Sequence, residues 1–194
     1  MTNPLHRVLD LFEQASRVSD PCAMFVTLVT LDDGGMPVAR VITVREVTDN
    51  GLIASISATS PKVAQLAADK WEVLCFWPSL MIQCRLRGHA RIQHDQATVA
   101  SWRARPKASR LADTYHARGR SQSSPIASRE VLLAEVDALA RASGDLTECP
   151  ETVATLLLKP TQVEIWLGSV EDRLHDRRAY SLTHAGWSEQ VLVP

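Results

Sequence analysis

No apolar run in this chain is long enough to span a bilayer, and the N-terminus lacks the apolar stretch of a secretory signal. The expectation is a soluble cytoplasmic protein with no membrane partner. Paired cysteines are missing too: Cys22, Cys75, Cys84 and Cys149 are widely scattered, with no CxxC among them. They read as reduced, partly buried thiols, which argues against a disulfide framework or a zinc site, and no metal is expected. Neither sign of charge dominates, with 21 Lys and Arg against 22 Asp and Glu, so a nucleic-acid partner is not indicated. No internal repeat and no linker rich enough to separate two bodies can be found. The 194 residues therefore read as a single domain, 1–194, large enough for a real core.

What is present is a regular succession of short elements. Asn3-Pro4 sets a capping side chain before a proline at the first helical position, and Leu5, Val8, Leu9, Leu11 and Phe12 follow at helical spacing. The spacing predicts an amphipathic helix over 4–17. Strands are predicted over 25–31, 37–46 and 52–57, punctuated by the hairpin signals Asp32-Asp33-Gly34-Gly35 and Thr48-Asp49-Asn50-Gly51. Ser60-Pro61 opens a short helix, and strands over 71–77 and 81–93 come next, split at Pro78-Ser79. Asp95 caps a helix running towards Arg105-Pro106, 109–116 forms another, and 128–142 has the clearest helical periodicity. Residues 117–125 read as loop and 150–160 as a link to closing strands over 161–168, 173–182 and 187–193. Antiparallel strands closed by hairpins and decorated with helices predict a mainly β protein, a small barrel with peripheral helices.

The strongest chemical signal is Glu164-Ile165-Trp166-Leu167-Gly168, followed after four residues by Arg173-Leu174-His175-Asp176-Arg177. On a strand Arg173, His175 and Arg177 would share one face. A core would reject such a cationic row. The pattern reads either as a row offered to a phosphate or as an ordinary solvated strand. Four further patterns accompany it: Arg40-Val41-Ile42-Thr43-Val44-Arg45, Ser60-Pro61-Lys62, Gln83-Cys84-Arg85-Leu86-Arg87-Gly88, and Arg105-Pro106-Lys107-Ala108-Ser109 with Gln122-Ser123 beyond it. A helix start such as Ser60-Pro61-Lys62 suits an anion through its free N–H groups. Arg85 and Arg87, on the face of Gln83, read as salt-bridge formers rather than ligand contacts.

Taken in order, these motifs resemble the pyridoxamine (pyridoxine) 5'-phosphate oxidase family, and the resemblance runs from about Ala23 to Pro194. It implies an FMN-binding split β-barrel, Greek-key-like and antiparallel, working as a homodimer with FMN at the subunit interface. By resemblance, FMN is met by Arg40, Val41, Ile42 and Thr43 on one strand, by Ser55, Ile56 and Lys62, and by Gln83 at the flavin's polar edge. Gln122 and Ser123 would reach it from the second subunit, and Trp166 and Arg177 complete the set. A phosphorylated small-molecule substrate would be held by Arg45, Ser101, Arg105, Ser109, Arg173 and His175, with Arg173 and His175 as the catalytic pair.

The chain also departs from the family pattern. Arg45 stands for a lysine, Pro61 for an arginine, Ser55-Ile56 for Tyr-Thr and Ser101 for a tyrosine. A Trp-Gly-Gly-Tyr segment is replaced by 153–158, and the terminal Arg-Leu-Ala-Pro by Val191-Leu192-Val193-Pro194. Three activities stay open at this point. The first is oxidation of pyridoxamine or pyridoxine 5'-phosphate to pyridoxal 5'-phosphate with oxygen as acceptor. The second is a related FMN-dependent oxidation of another substrate, as in phenazine biosynthesis. The third is non-catalytic binding of flavin or pyridoxal phosphate.

Overall fold

The protein is described from a computed structural model over residues 3–194. Helix α1 spans Pro4–Arg17, and the Asn3 side chain accepts the Leu5 N–H at 3.0 Å. Strands β1 (Phe25–Leu31) and β2 (Pro37–Thr48) form a hairpin whose turn is held by the Asp32 carboxylate, which accepts the N–H groups of Gly34 and Met36 at 2.9 Å. Next come β3 (Gly51–Ser57), the single-turn helix α2 (Pro61–Leu66), β4 (Glu72–Trp77) and β5 (Ile82–Gln93). Helices α3 (Gln96–Arg103), α4 (Lys107–Arg118) and α5 (Arg129–Ser143) precede β6 (Val153–Leu167), β7 (Asp176–Thr183) and β8 (Gly186–Leu192). Asp95 caps α3 through the Thr98 N–H at 2.8 Å, and Ser128 caps α5 through the Val131 N–H at 3.3 Å.

The strands form one sheet in the order β3-β2-β1-β4-β5-β6-β7-β8, and β3 also pairs with β6. Six strands thus close into an antiparallel barrel, while β7 and β8 continue the sheet beyond it. Two glycines permit the close approaches that closure needs. Gly51 has φ +140°, and a Cβ there would run into the Leu158 carbonyl; at Gly88 it would run into the Lys159 carbonyl.

By contacts the chain divides into two compact units: Met1–Ala54 with Gln65–Arg91 and Leu157–Pro194, and Ser55–Ala64 with Ile92–Leu156. In the first, α1 buries Leu5, Val8, Leu11, Phe12 and Ala15, and Phe12 meets Trp77 edge-on with ring centroids 4.9 Å apart. Val26, Leu28, Val73, Cys75, Cys84, Leu86 and Val163 are also buried. Each such aliphatic side chain contributes about 1.5–3 kcal/mol by leaving water. In the second unit Trp102, Leu146 and Val153 form a cluster with Leu111 and Cys149 packed against it. The Thr98 and Thr155 hydroxyls pair there at 2.7 Å.

Three expectations need correction. Residues 153–160 are the first half of the long strand β6, with Val153, Ala154, Leu156 and Leu158 buried. The flanking prolines made a buried strand look like a linker. The strand expected from residue 173 begins at Asp176, and Arg173 lies before it with φ +64°. A residue in the left-handed region breaks the strand alternation, so Arg173, His175 and Arg177 do not form one cationic row. Helix α5 forms where its periodicity placed it but buries no residue, and Val131 and Leu133 are exposed. All four cysteines are free thiols, Cys75 and Cys84 fully buried and directly opposite each other across β4 and β5.

Candidate functional site

Strand β2 carries the first group of candidates in the first unit. Arg40 is partly buried there, and its guanidinium donates from Nη1 to Thr30 Oγ1 at 2.6 Å and to the Leu28 carbonyl at 3.4 Å. Nη2 donates to Gln65 Oε1 at 2.5 Å, and the buried Thr30 hydroxyl donates to the same oxygen at 2.7 Å. Every one of these acceptors is neutral, and among the described residues no carboxylate reaches ion-pair distance of Arg40. Burial lowers its pKa from the ordinary value, yet a guanidinium remains charged. A desolvated cation held rigidly without a counter-charge is suited to an anion such as the FMN phosphate. Val41 is exposed, while Ile42 and Thr43 are half-buried.

Arg45 sits where the register between β2 and β3 slips, between Val44 paired to Ala54 and Glu46 paired to Ile53. The extra residue is a bulge, which re-aims its side chain and breaks the alternation that put Arg45 on the face of Val41 and Thr43. Val44 and Val47 turn inward, and Arg45 is exposed.

Strands β4 to β7 carry a ladder of alternating charge. Glu72 takes Arg85 Nε at 2.9 Å and also receives Arg87. Arg85 Nη1 lies 3.6 Å from Glu164, and Glu164 accepts Arg177 Nε at 3.0 Å and Nη2 at 3.3 Å. The order Arg87, Glu72, Arg85, Glu164, Arg177 thus crosses four strands, and Arg85 and Arg87 are ion-pair partners as their spacing predicted. Burial raises the Glu72 pKa, but hydrogen bonds from Arg85 and Arg87 outweigh it and hold the carboxyl below its ordinary value. Gln83 is half-buried two residues before Arg85.

Trp166 and Arg177 are directly opposed across β6 and β7. The His175 ring lies on Trp166 with centroids 4.6 Å apart, and its Nδ1 accepts the Ser169 N–H at 3.0 Å. An accepting Nδ1 places the ring proton on Nε2. The loop before β7 is held by the Asp172 carboxylate, which accepts the Ser169 hydroxyl at 2.5 Å and the Leu174 N–H at 2.9 Å. Arg173 is exposed on that loop.

The second unit carries the rest. Arg105, half-buried just before α4, donates from Nη1 to Asp113 Oδ2 at 2.8 Å and from Nη2 to the Ser55 hydroxyl. Asp113 Oδ2 also accepts the Trp102 indole N–H at 3.1 Å. Lys62 Nζ donates to Ser60 Oγ at 2.6 Å. Helix α2 is only six residues long, so the charge of Lys62 rather than a helix dipole is what that segment offers an anion. Ile56 is buried, which leaves only its backbone for a ligand. Ser101 is exposed on α3, Ser109 is exposed in the first turn of α4, Gln122 is half-buried and Ser123 is exposed with φ +67°. Within the units the structure pairs Arg105 with Ser55 and Trp166 with both His175 and Arg177.

Sequence reasoning gave no role to Gln65, Glu164 or Asp113, the partners that fix Arg40, Arg177 and Arg105. Glu164 stood inside the recognised motif and alternates with Trp166 along the strand. Gln65 and Asp113 lie 25 and 8 residues from their arginines, with no local signal joining them.

A closed six-stranded antiparallel barrel with this donor set defines an FMN-binding split-barrel oxidoreductase. A model of the family described as "Pyridoxamine 5'-phosphate oxidase" matches residues 20–141, and the chain belongs to that family. A pyridoxine/pyridoxamine 5'-phosphate oxidase of Myxococcus xanthus (strain DK1622) is 31% identical, the match covering 99% of this chain and 92% of that protein. One from Cyanothece sp. is 34% identical, covering 99% and 89%. Among solved structures, PhzG from Burkholderia lata 383, in complex with tetrahydrophenazine-1-carboxylic acid, matches with TM-score 0.87 and 24% identity, over 100% of this chain and 94% of that one. A pyridoxamine 5'-phosphate oxidase-related, FMN binding protein from Nostoc punctiforme matches with TM-score 0.77 and 20% identity, over 100% of both chains. These two likenesses show the fold.

Proposed function

We propose that this protein oxidises pyridoxamine 5'-phosphate or pyridoxine 5'-phosphate to pyridoxal 5'-phosphate with oxygen as acceptor, as a single-domain subunit of a homodimer with FMN at the subunit interface. The observation that carries the reading is Arg40, a buried guanidinium whose partners are all neutral and which is therefore available to a flavin phosphate. The curated relatives of that name, matched over nearly the whole chain, support it. FMN, when bound, supplies the hydride acceptor and the route for electrons to oxygen. In the first unit, Gln83 and Arg177 offer hydrogen bonds to the polar edge of the flavin, and Trp166 offers it an apolar face. The Nε2–H of His175 is a donor that orients the reacting end of the substrate, with Arg173 and Arg45 as its exposed cations. In the second unit, Lys62, Gln122 and Ser123 serve the cofactor, and Arg105 and Ser109 hold the substrate's anionic group. Orientation by these groups supplies most of the rate.

A second reading, an FMN-dependent oxidase of the same family acting on a different substrate, is favoured by one observation: Arg105 is already neutralised by Asp113. Anaerobic stopped-flow mixing of the FMN-loaded protein with either vitamin B6 phosphate ester tests the first reading. Rapid loss of the flavin band near roughly 450 nm supports it, and an unbleached flavin sinks it in favour of another reductant.

A further inference from the structure

Arg105 is the cation to which the proposed function assigns the substrate's anionic group, and the inference drawn here rests on that assignment. Its side chain is 15% exposed and forms an ion pair with Asp113, itself 26% exposed. The carboxylate is not a loose surface partner. Its Oδ2 accepts both the Arg105 guanidinium at 2.8 Å and the indole N–H of the fully buried Trp102 at 3.1 Å. Rotating Asp113 away would leave that buried indole donor unpaired, which is unfavourable, so the negative charge stays beside the arginine. The second guanidinium nitrogen is engaged by Ser55.

Arg110 does not replace the lost positive charge. Its Nη1 donates to the Leu146 carbonyl at 2.5 Å, and its guanidinium lies 5.7 Å from the centre of the Trp102 ring, on that residue's side of α4. Cys149, which feels Arg105, Asp113 and Arg103, is held above its ordinary pKa by burial and stays an uncharged thiol. Arg103 and Lys107 are exposed to water, where their charges are screened. The Arg105–Asp113 pair is therefore close to neutral overall. A ligand anion binding to Arg105 must do so next to a fixed carboxylate, and the repulsion scales with the ligand's own charge.

We propose that Asp113 is a specificity-determining residue, which tunes the Arg105 subsite to an anionic group carrying one negative charge and against a phosphate dianion. The substrate class that follows is a small molecule whose anchoring group is a monoanion, such as a carboxylate or a singly ionised phosphate ester.

The test is equilibrium titration of the FMN-loaded protein, by flavin absorbance or calorimetry, with two isosteric ligands. Pyridoxine 5'-phosphate is largely a dianion at neutral pH, and pyridoxine 5'-sulfate is a permanent monoanion. The native protein is expected to bind the sulfate ester at least as tightly as the phosphate ester. Asp113→Asn keeps an acceptor for Trp102 but removes the charge, and should raise the phosphate-to-sulfate affinity ratio about tenfold, about 1.4 kcal/mol. A purely structural role for Asp113 would move both affinities together and leave the ratio alone. Asp113→Ser serves the same purpose if the asparagine variant does not fold. A native protein that already prefers phosphate tenfold, or a ratio unchanged by both substitutions, would overturn the proposal. Arg105→Ala separates the two levels. If it weakens both ligands while Asp113→Asn leaves the ratio unchanged, the inference fails alone. If it weakens neither, the assignment of Arg105 to the substrate fails and the inference falls with it.

Discussion

Glu164→Gln is expected to destabilise the protein by about 2 kcal/mol. The value lies between the roughly 0–1 kcal/mol of an exposed ion pair and the roughly 3–5 kcal/mol lost when one partner of a buried pair is removed. The Glu164 side chain is only 18% exposed, and its guanidinium partners Arg177 and Arg85 are 32% and 31% exposed, so neither limit applies. The substitution keeps the volume and one acceptor but removes the charge that Arg177 meets through two nitrogens. Arg85 keeps Glu72, whereas no other carboxylate among the described residues pairs with Arg177. The loss should therefore fall mainly on Arg177. Urea unfolding of the FMN-free protein would show the midpoint moving at constant slope, and a thermal melt should fall by about 4–8 °C for a chain of this size. A double-mutant cycle with Arg177→Gln should return a coupling of about 1 kcal/mol. A single-variant loss below about 0.5 kcal/mol with strictly additive effects would refute the claim that this ladder is more than surface decoration.

Other consequences can be checked in parallel. Arg40→Met should weaken FMN binding about 100-fold, about 2.7 kcal/mol, read from recovery of flavin fluorescence on dilution, and an unchanged affinity would remove Arg40 from the cofactor site. The depressed Glu72 pKa makes a signed prediction: its stabilisation is complete above the ordinary value of 4.5 and is lost as pH falls through the lower folded-state value. Urea midpoints between about pH 6 and pH 3 should fall less steeply in Glu72→Gln than in the native protein, and parallel curves would contradict the assignment. Burial pushes the Cys84 thiol up to about 12 and Cys75 upward as well, so neither should react with iodoacetamide at about pH 8 until the protein unfolds. Rapid alkylation of either in the native state would show that this part of the core opens.

How much of the site was legible depended on how far the relevant partners lie along the chain. The candidate motifs could be read in order because each is a run of neighbouring residues. Their electrostatic state could not, because it depends on strand register. Arg85 and Glu72 are 13 residues apart, as are Arg177 and Glu164. Asp113 changes the meaning of Arg105 from a free cation to half of an ion pair, and nothing in its immediate neighbours announces that. The alternation argument failed at Arg173 and was interrupted at Arg45 for a related reason. A residue in the left-handed region and a bulge each break a period of two, and both belong to the way neighbouring strands and loops meet.

By itself the sequence determined the elements whose causes are local. The caps at Asn3, Asp95 and Ser128 and the Asp32 turn are hydrogen bonds spanning at most four residues, and they form as read. The family was equally legible, being carried by short motifs in order. Only the tertiary structure decided that 153–160 is a buried strand, that β3 returns to β6 to close the barrel, and which carboxylate each arginine meets. Those outcomes are settled by packing and register between segments far apart in the chain, where the burial of one face selects a pairing that no local pattern contains.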